Sequence, residues 1–127
     1  MRVRIQVVIE DDDDVLDSHD VFSFQRKHFQ PEQVGLTLTE AKGTLHGIQQ
    51  PVVHHQVDDY LQKQRHCPAC GQHRKRKGKH TLVYRTLFGS FQLPSPRFYR
   101  CRCRDSGPRS FSPLAQVLAE RTAPELL

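Results

Sequence analysis

Four cysteines, grouped as two close pairs, constrain this chain more than any other feature. Cys67 and Cys70 form one pair in the string CPACG, and Cys101 and Cys103 form the other after a hairpin-length segment. They are the only cysteines in the 127 residues. A tetrahedral site of four thiolates would use all of them. The pattern predicts a zinc ribbon, in which one structural Zn²⁺ closes the base of a β-hairpin.

Disulfides are a weaker interpretation of the same cysteines. The first apolar stretch, residues 3–9, is too short and interrupted for a secretion signal, and no stretch approaches the length of a membrane span. We therefore expect a cytoplasmic protein without membrane contacts, whose thiols stay reduced. Cysteines at i and i+2 of a strand also lie roughly 6.5–7 Å apart, at or beyond disulfide reach.

Two alternatives to a four-cysteine metal site stay open. One is a mixed site, in which His66, His73 or His80 replaces a cysteine, and the other is a site without metal.

The charge of the chain is strongly uneven along its length. Residues 1–64 carry 6 basic and 11 acidic side chains, a balance of −5, whereas residues 65–104 carry 11 basic and no acidic ones. Residues 105–127 carry 2 basic and 3 acidic side chains. A wholly cationic block that coincides with the predicted ribbon indicates a polyanionic partner.

The first region predicts a hairpin followed by a helix. Residues 2–10 alternate, with Val3, Ile5, Val7 and Ile9 on one face, and residues 19–27 predict the returning strand after a solvated acidic loop at 11–14. Residues 37–40 (TLTE) match a capping box that opens a helix. Apolar side chains then recur at helical spacing: Leu38, Ala41, Leu45, Ile48 and Val52. Pro51 lies inside this pattern and predicts a kink or a break into two helices.

The ribbon follows directly after this helix. Residues 81–87 predict its first strand and residues 88–90 its turn, while Pro94 and Pro96 predict an edge bend. Residues 97–103 would then resume the strand. Its alternation would place Cys101 and Cys103 on one face and three arginines in line on the other: Arg100, Arg102 and Arg104.

The predicted fold class is α+β: an N-terminal β-hairpin, a long or kinked helix, a zinc-ribbon β-hairpin and a short C-terminal helix. The predicted regions are 1–64, 65–104 and 105–127. Within region 105–127, residues 105–108 predict a loop. A short helix follows, with Ser112 as N-cap and Pro113 as its first residue, and extends to about Glu120. A second capping box at 122–125 starts a further helix two residues before the sequence ends. We therefore expect the front part of a longer protein.

The cationic block supplies the candidate nucleic-acid contacts. Lys and Arg side chains that contact phosphates give affinity and salt dependence but little sequence specificity, and nothing here resembles a recognition helix. The simpler alternative is a solvated surface that only keeps the protein soluble. The candidate contacts are Arg74, Lys75, Arg76, Lys77, Lys79, Arg85, Arg97, Arg100, Arg102 and Arg104.

Several strings resemble the N-terminal region of bacterial insertion-sequence transposases of the Kra-type group. They are residues 84–89 (YRTLFG), 95–103 (SPRFYRCRC), 110–114 (SFSPL) and 120–127 (ERTAPELL), together with 67–71 (CPACG) and 36–42 (LTLTEAK). The resemblance extends from about Arg2 to Leu127. The acidic run and the helix rich in Gln and His depart from the pattern.

The resemblance implies a zinc-ribbon region that precedes an RNase H-like core, which cuts and joins DNA with three carboxylates and divalent metal. No catalytic carboxylate of that core can be assigned here, because the sequence ends before it. We expect a fragment that binds duplex DNA, in particular element ends, and that catalyses nothing. Self-association is compatible with the sequence. An RNA-binding ribbon and an inert structural or protein-interaction remnant are the alternatives.

Overall fold

A long β-hairpin, a long helix, a three-stranded sheet and a short helix follow one another along the chain, which confirms the predicted α+β class. The computed structural model describes residues 1–103 and 109–126. The predicted loop at 105–108 and Arg104 lie outside them. Two compact units are formed, Met1–Val53 and His54–Leu127. Among the described helices, none is both long and apolar enough to cross a membrane.

The N-terminal hairpin pairs β1 (Arg2–Asp11) with β2 (Asp14–Gln25) in antiparallel register from Arg2 opposite Gln25 to Asp11 opposite Asp14. The predicted face of β1 is confirmed, because alternate residues from Val3 to Ile9 are half-buried. The expected start of the second strand at residue 19 is wrong. Asp12 and Asp13 adopt left-handed φ values of 48° and 70°, so the two strands are joined by a two-residue turn. Aspartate tolerates this conformation better than most residues, which is why the acidic run can form a tight turn.

Helix α1 (Leu38–Gln64) begins as the capping box predicts. The N–H of Glu40 donates to Oγ1 of Thr37 at 3.1 Å, and Oε1 of Glu40 accepts from the N–H of Thr37 at 3.0 Å. Of the two outcomes predicted at Pro51, a kink or a break into two helices, the break is wrong, because one helix continues through it. Each half has a buried residue, Thr44 before Pro51 and Val57 after it. Proline removes one backbone hydrogen bond of the helix without interrupting it.

The face of α1 that packs in the first unit differs from the predicted stripe. Leu38 is 72% exposed and Leu45 is 41% exposed, so these two members of the stripe are not core residues. The close approach to β2 occurs at glycines instead. A Cβ built on Gly47 would lie 2.5 Å from the carbonyl oxygen of Val21, and one on Gly43 would lie 2.7 Å from the ring of Phe22. The absence of side chains therefore decides which helix face meets the hairpin.

One guanidinium joins the end of β2 to the start of α1. Both terminal nitrogens of Arg26 donate to the carboxylate of Glu40, with Nη1 to Oε2 at 2.9 Å and Nη2 to Oε1. Arg26 also donates to the carbonyls of Gln33 and Gly35, each at 2.9 Å, which fixes the connecting segment. The hydrogen bonds from Arg26 lower the pKa of Glu40 from its usual value to about 2.

The second unit is built on a sheet in the order β3-β4-β5: β3 (Arg76–Thr86), β4 (Gly89–Tyr99) and β5 (Ser110–Phe111). Helix α2 (Pro113–Val117) packs on β4 and is followed by a 3-10 helix at Pro124–Leu126. Strand β4 continues through Pro94 and Pro96, which lie opposite Thr81 and Lys79. Strand β5 pairs with Phe98 and Tyr99 of β4. Among the described residues, no strand pairs with this edge of β4 at the two prolines, which suits proline because it has no N–H to donate. The core of this sheet includes Leu82, Phe91, Leu93, Phe98, Phe111 and Leu114.

The C-terminal helix starts where predicted but is shorter. Ser112 is its N-cap residue and Pro113 its first residue, and it ends at Val117 rather than near Glu120. The chain then turns at Arg121, whose φ of 60° is left-handed. This turn returns the backbone to β3, where Ala123 is buried.

Replacing Gly47 by alanine tests the close approach of helix and hairpin. The substitution should raise helix propensity by about 1 kcal/mol. We nevertheless expect a net loss of about 1–3 kcal/mol in the free energy of unfolding of the first unit, because the methyl group must displace backbone. Gly78→Ala is the control, since its Cβ would meet nothing within 4 Å. Native-state hydrogen exchange measures both, and an unchanged or more stable G47A protein would refute the contact.

The pair of Arg26 and Glu40 predicts a pH dependence of the first unit. Because the pKa of Glu40 is lowered from 4.5 to about 2, its stabilising contribution is complete above pH 4.5 and is lost as the pH falls towards 2. The carboxyl carbon resonance of Glu40 should titrate near pH 2 in the wild type. In Arg26→Gln it should titrate clearly higher but still below 4.5, because the N–H of Thr37 still donates to the carboxylate. A wild-type midpoint near 4.5 would show that the pair does not form in solution.

Candidate metal centre

The first cysteine pair lies in a tight knuckle after α1. The N–H of Gly71 donates to the carbonyl of Cys67 at 2.8 Å, and the N–H of Cys67 donates to the carbonyl of Gln72 at 2.9 Å. The φ of Gly71 is +74°, a left-handed conformation that glycine adopts at no steric cost and that this turn requires. The knuckle thereby folds the chain back so that Cys67 and Cys70 approach one point.

Short-range pairing fixes the two arms of the knuckle to each other. His66 and His73 form an isolated antiparallel bridge, and their rings meet edge-on with centroids 4.2 Å apart. The N–H of Arg74 donates to the carbonyl of Arg65 at 2.7 Å. These contacts lead from the end of α1 directly into β3, so the knuckle lies at the base of the β3–β4 hairpin.

The second cysteine pair does not lie on a strand, contrary to the prediction. Strand β4 ends at Tyr99, Cys101 has no regular secondary structure, and Arg102 and Cys103 lie in a turn. The N–H of Arg100 still pairs with the carbonyl of Arg109 at 2.8 Å, after which the chain leaves the sheet. A turn brings i and i+2 side chains closer than the roughly 6.5–7 Å of a strand. Leaving the sheet therefore helps both sulfurs reach one ion.

The four sulfur atoms converge on one point. All four Sγ atoms lie within 4.8 Å of one another. The Sγ of Cys67 is 3.5 Å from that of Cys103, and the Sγ of Cys70 is 3.3 Å from that of Cys101. Four sulfurs about 2.3 Å from a tetrahedral ion would be about 3.8 Å apart, whereas a disulfide requires about 2.05 Å. The cysteines are free and could hold a metal ion.

The histidines that were alternative ligands lie outside this cluster. Across residues 1–103 and 109–126, the cluster consists of the four cysteines alone. His66 and His73 contact each other edge-on instead, and His80 lies within β3 opposite Ser95. The donor set is therefore four sulfurs.

The four neighbouring thiols differ in how readily they ionise. Backbone N–H groups of Cys70 and Ala69 lower the pKa of Cys67 to about 6, so this thiolate forms near neutral pH. The neighbouring thiols of Cys101 and Cys67 raise the pKa of Cys103 to about 12. A divalent ion at the centre reverses this second effect, because a coordinating thiol loses its proton outright. The electrostatics of the four thiols are therefore compatible with a bound divalent cation.

Most of the predicted nucleic-acid contacts are exposed on the sheet or beside it. Arg76, Lys77, Lys79 and Arg85 lie on β3, and Lys75 immediately precedes it. Arg97 is exposed on β4, although its Nε donates to Oγ of Ser110 at 3.1 Å. Lys77 lies 5.9 Å from the centre of the Tyr99 ring.

Arg74 and Arg100 pack against an aromatic ring instead of being exposed on the surface. Each guanidinium lies over the ring of Phe111, with its central carbon 4.8 Å from the ring centroid. Nη1 of Arg74 also donates to the carbonyl of Gln64 at 2.8 Å. Both residues are half-buried, so neither is a free surface cation. The sequence showed both arginines, but it contained no sign that Phe111 would return to pack against them.

The expected line of three arginines does not form on β4, because the strand ends before Arg100. Arg102 is exposed in the turn between Cys101 and Cys103, while Arg104 lies outside the described residues.

No protein-family model, curated protein or solved structure matches this chain.

The geometry predicts one divalent metal ion per chain. Cys70→Ser and Cys103→Ser should each weaken metal binding by more than about a hundred-fold, since loss of a ligand exceeds the roughly 10–100-fold effect of outer-shell changes. Competition with a chromophoric chelator measures this affinity. His66→Ala and His73→Ala serve as controls and should stay within a few-fold of wild type. A histidine variant that loses the metal would establish a mixed site.

Proposed function

We propose that this chain is a DNA-binding zinc-ribbon module, the part of an insertion-sequence transposase that contributes DNA recognition. The main support for this proposal is the position of the sulfur cluster. It lies at the base of a hairpin whose first strand begins with a run of exposed cations. A metal ion at that base would stabilise the surface that meets phosphates.

Zinc is the metal that this donor set favours. Four cysteine sulfurs in a tetrahedral arrangement are typical of structural zinc sites, and soft thiolates select zinc over the hard cations that prefer oxygen. Four protein ligands would occupy the tetrahedral ion fully. No position is then open for substrate or an activated water, so the ion has a structural role.

The electrostatics of the second unit support a polyanionic partner. Lys75, Arg76, Lys77 and Lys79 are exposed at the start of β3, and residues 65–104 contain no acidic side chain. Contacts from such side chains to phosphates give salt-dependent binding and do not read base sequence. We therefore propose that the module positions duplex DNA, and that specificity for element ends needs contacts beyond this strand.

Catalysis is not part of this proposal. An RNase H-like site needs carboxylates that converge from separate elements. The acidic residues 11–14 instead share the tip of one hairpin, where Asp12 and Asp13 form the turn. The transposase assignment depends on the sequence resemblance, whereas the binding surface depends on the position of the cations.

A charge-removal experiment tests the DNA-binding surface. Lys77→Gln combined with Lys79→Gln should weaken binding to duplex DNA. It should also lower the slope of log affinity against log salt concentration by about 0.9 for each phosphate that the protein no longer neutralises. The matched control is Lys27→Gln with Lys42→Gln, which removes the same charge from exposed lysines of the first unit. Fluorescence anisotropy at several salt concentrations measures both.

Two outcomes would contradict the proposal of DNA binding. If structured RNA displaces the probe better than duplex DNA at matched salt, the module is an RNA-binding ribbon. If neither polymer binds even near 50 mM salt, where phosphate contacts are strongest, the cationic face has no nucleic-acid ligand and the chain is a structural or protein-interaction remnant.

A further inference from the structure

A cavity of 590 Å³ lies beside β3, and the described residues that line it include neither the four cysteines nor the cationic run at 75–79. Its volume is in the range of roughly 300–1,000 Å³ that is typical of small-ligand sites. The residues that matter for its chemistry are His80, Arg85, Ser95, Arg121 and Thr122, with Glu120 at the same wall. None of them belongs to the proposed metal site.

The backbone fixes two arginines at this cavity. The N–H of Arg85 donates to the carbonyl of Arg121 at 3.0 Å, and the N–H of Ala123 donates to the carbonyl of Arg85 at 2.7 Å. Arg85 and Thr122 thus form a parallel bridge between β3 and the returning chain. The bridge places both arginines in the wall of one cavity, although their charges repel.

Arg121 is held there in an unusual conformation. Its φ of 60° is left-handed, a region that non-glycine residues seldom occupy. The carbonyl of Leu118 accepts from its N–H at 3.0 Å and from its Nη1 at 3.4 Å. Such conformations persist where surrounding contacts enforce them, and they are frequent at binding sites.

The lining of the cavity carries a net positive charge, because it contains two arginines and one glutamate. Glu120 is the one acidic residue in the lining, and within residues 1–103 and 109–126 no ion pair joins it to Arg85 or Arg121. Residues with hydroxyl side chains complete the wall, among them Ser95, which is only 5% exposed, and Thr122. Guanidinium and hydroxyl donors together match the oxygens of a phosphate group.

We propose that this cavity binds a phosphate group, with Arg85 and Arg121 as its principal ligands. Two sources share this chemistry, a phosphate of the DNA backbone and a free phosphorylated small molecule. In the first case the site deepens the proposed function, because it gives the DNA a second contact beyond the run at 75–79. In the second case it is independent of that function.

The test uses the metal-loaded full chain and three probes: inorganic phosphate, thymidine 5′-monophosphate and a short duplex DNA. Each is titrated at constant ionic strength while amide resonances are followed. Phosphate should give saturable shifts at Arg85, Thr122 and Ala123. Arg85→Gln and Arg121→Gln should each weaken this binding by ten-fold or more, and Arg85→Lys should retain part of it. Arg65→Gln is the control, an exposed arginine outside the cavity.

The outcomes separate this site from the proposed function. Shifts of the cavity amides by duplex DNA, with weaker DNA binding by both variants, identify the backbone as the source. Shifts by phosphate or the mononucleotide alone, without DNA binding, support the cavity and refute the proposed function. DNA binding that neither variant alters, without saturable shifts from any probe at the cavity, overturns the cavity and leaves the proposed function intact. Metal content and amide dispersion confirm that each variant is folded.

Discussion

The convergence of four thiols on one point is the interaction on which the second unit depends. It joins the knuckle that follows α1 to the turn that follows β4, and so closes the base of the β3–β4 hairpin. The apolar core that surrounds this hairpin is small, with Leu93, Phe98 and Leu114 as its most buried side chains. A domain of this size gains much from a metal ion that substitutes for missing core. Such an ion would also allow all four thiols to ionise, because their mutual proximity otherwise raises the pKa of Cys103.

The basic residues of the second unit have two different roles that their sequence does not separate. Arg74 and Arg100 pack over Phe111 and hold the short strand β5 region against the hairpin. The cations from Lys75 to Lys79 stay exposed and supply the surface on which the proposed nucleic-acid binding depends. Because Arg74 and Lys75 are neighbours in the chain, only the returning strand determines which of them is free. The same returning chain places Arg121 beside Arg85, so the C-terminal segment shapes both the core and the cavity.

Local chemistry made part of this structure predictable. The capping box at Thr37, the left-handed glycine at Gly71 and the pairing of the four cysteines follow from short-range rules that tolerate little variation. Other features depended on contacts that sequence periodicity does not report. The glycines of α1 pack against β2 because they lack side chains, whereas the apolar stripe of the sequence indicated a different helix face. Strand β4 ends at Tyr99 because the chain turns towards the sulfur cluster, although the residues that follow it alternate like a strand. The Asp12–Asp13 turn was missed because a run of acidic residues resembles a solvated loop.

X-ray absorption spectroscopy of the zinc-loaded chain tests the central claim most directly, since it reports the atoms around the ion without relying on any variant. The geometry predicts four sulfur neighbours at about 2.3 Å and no nitrogen or oxygen bound to the ion. A spectrum that requires histidine nitrogens or water oxygens, or a chain that binds no zinc, would contradict the closure of the hairpin by four thiolates.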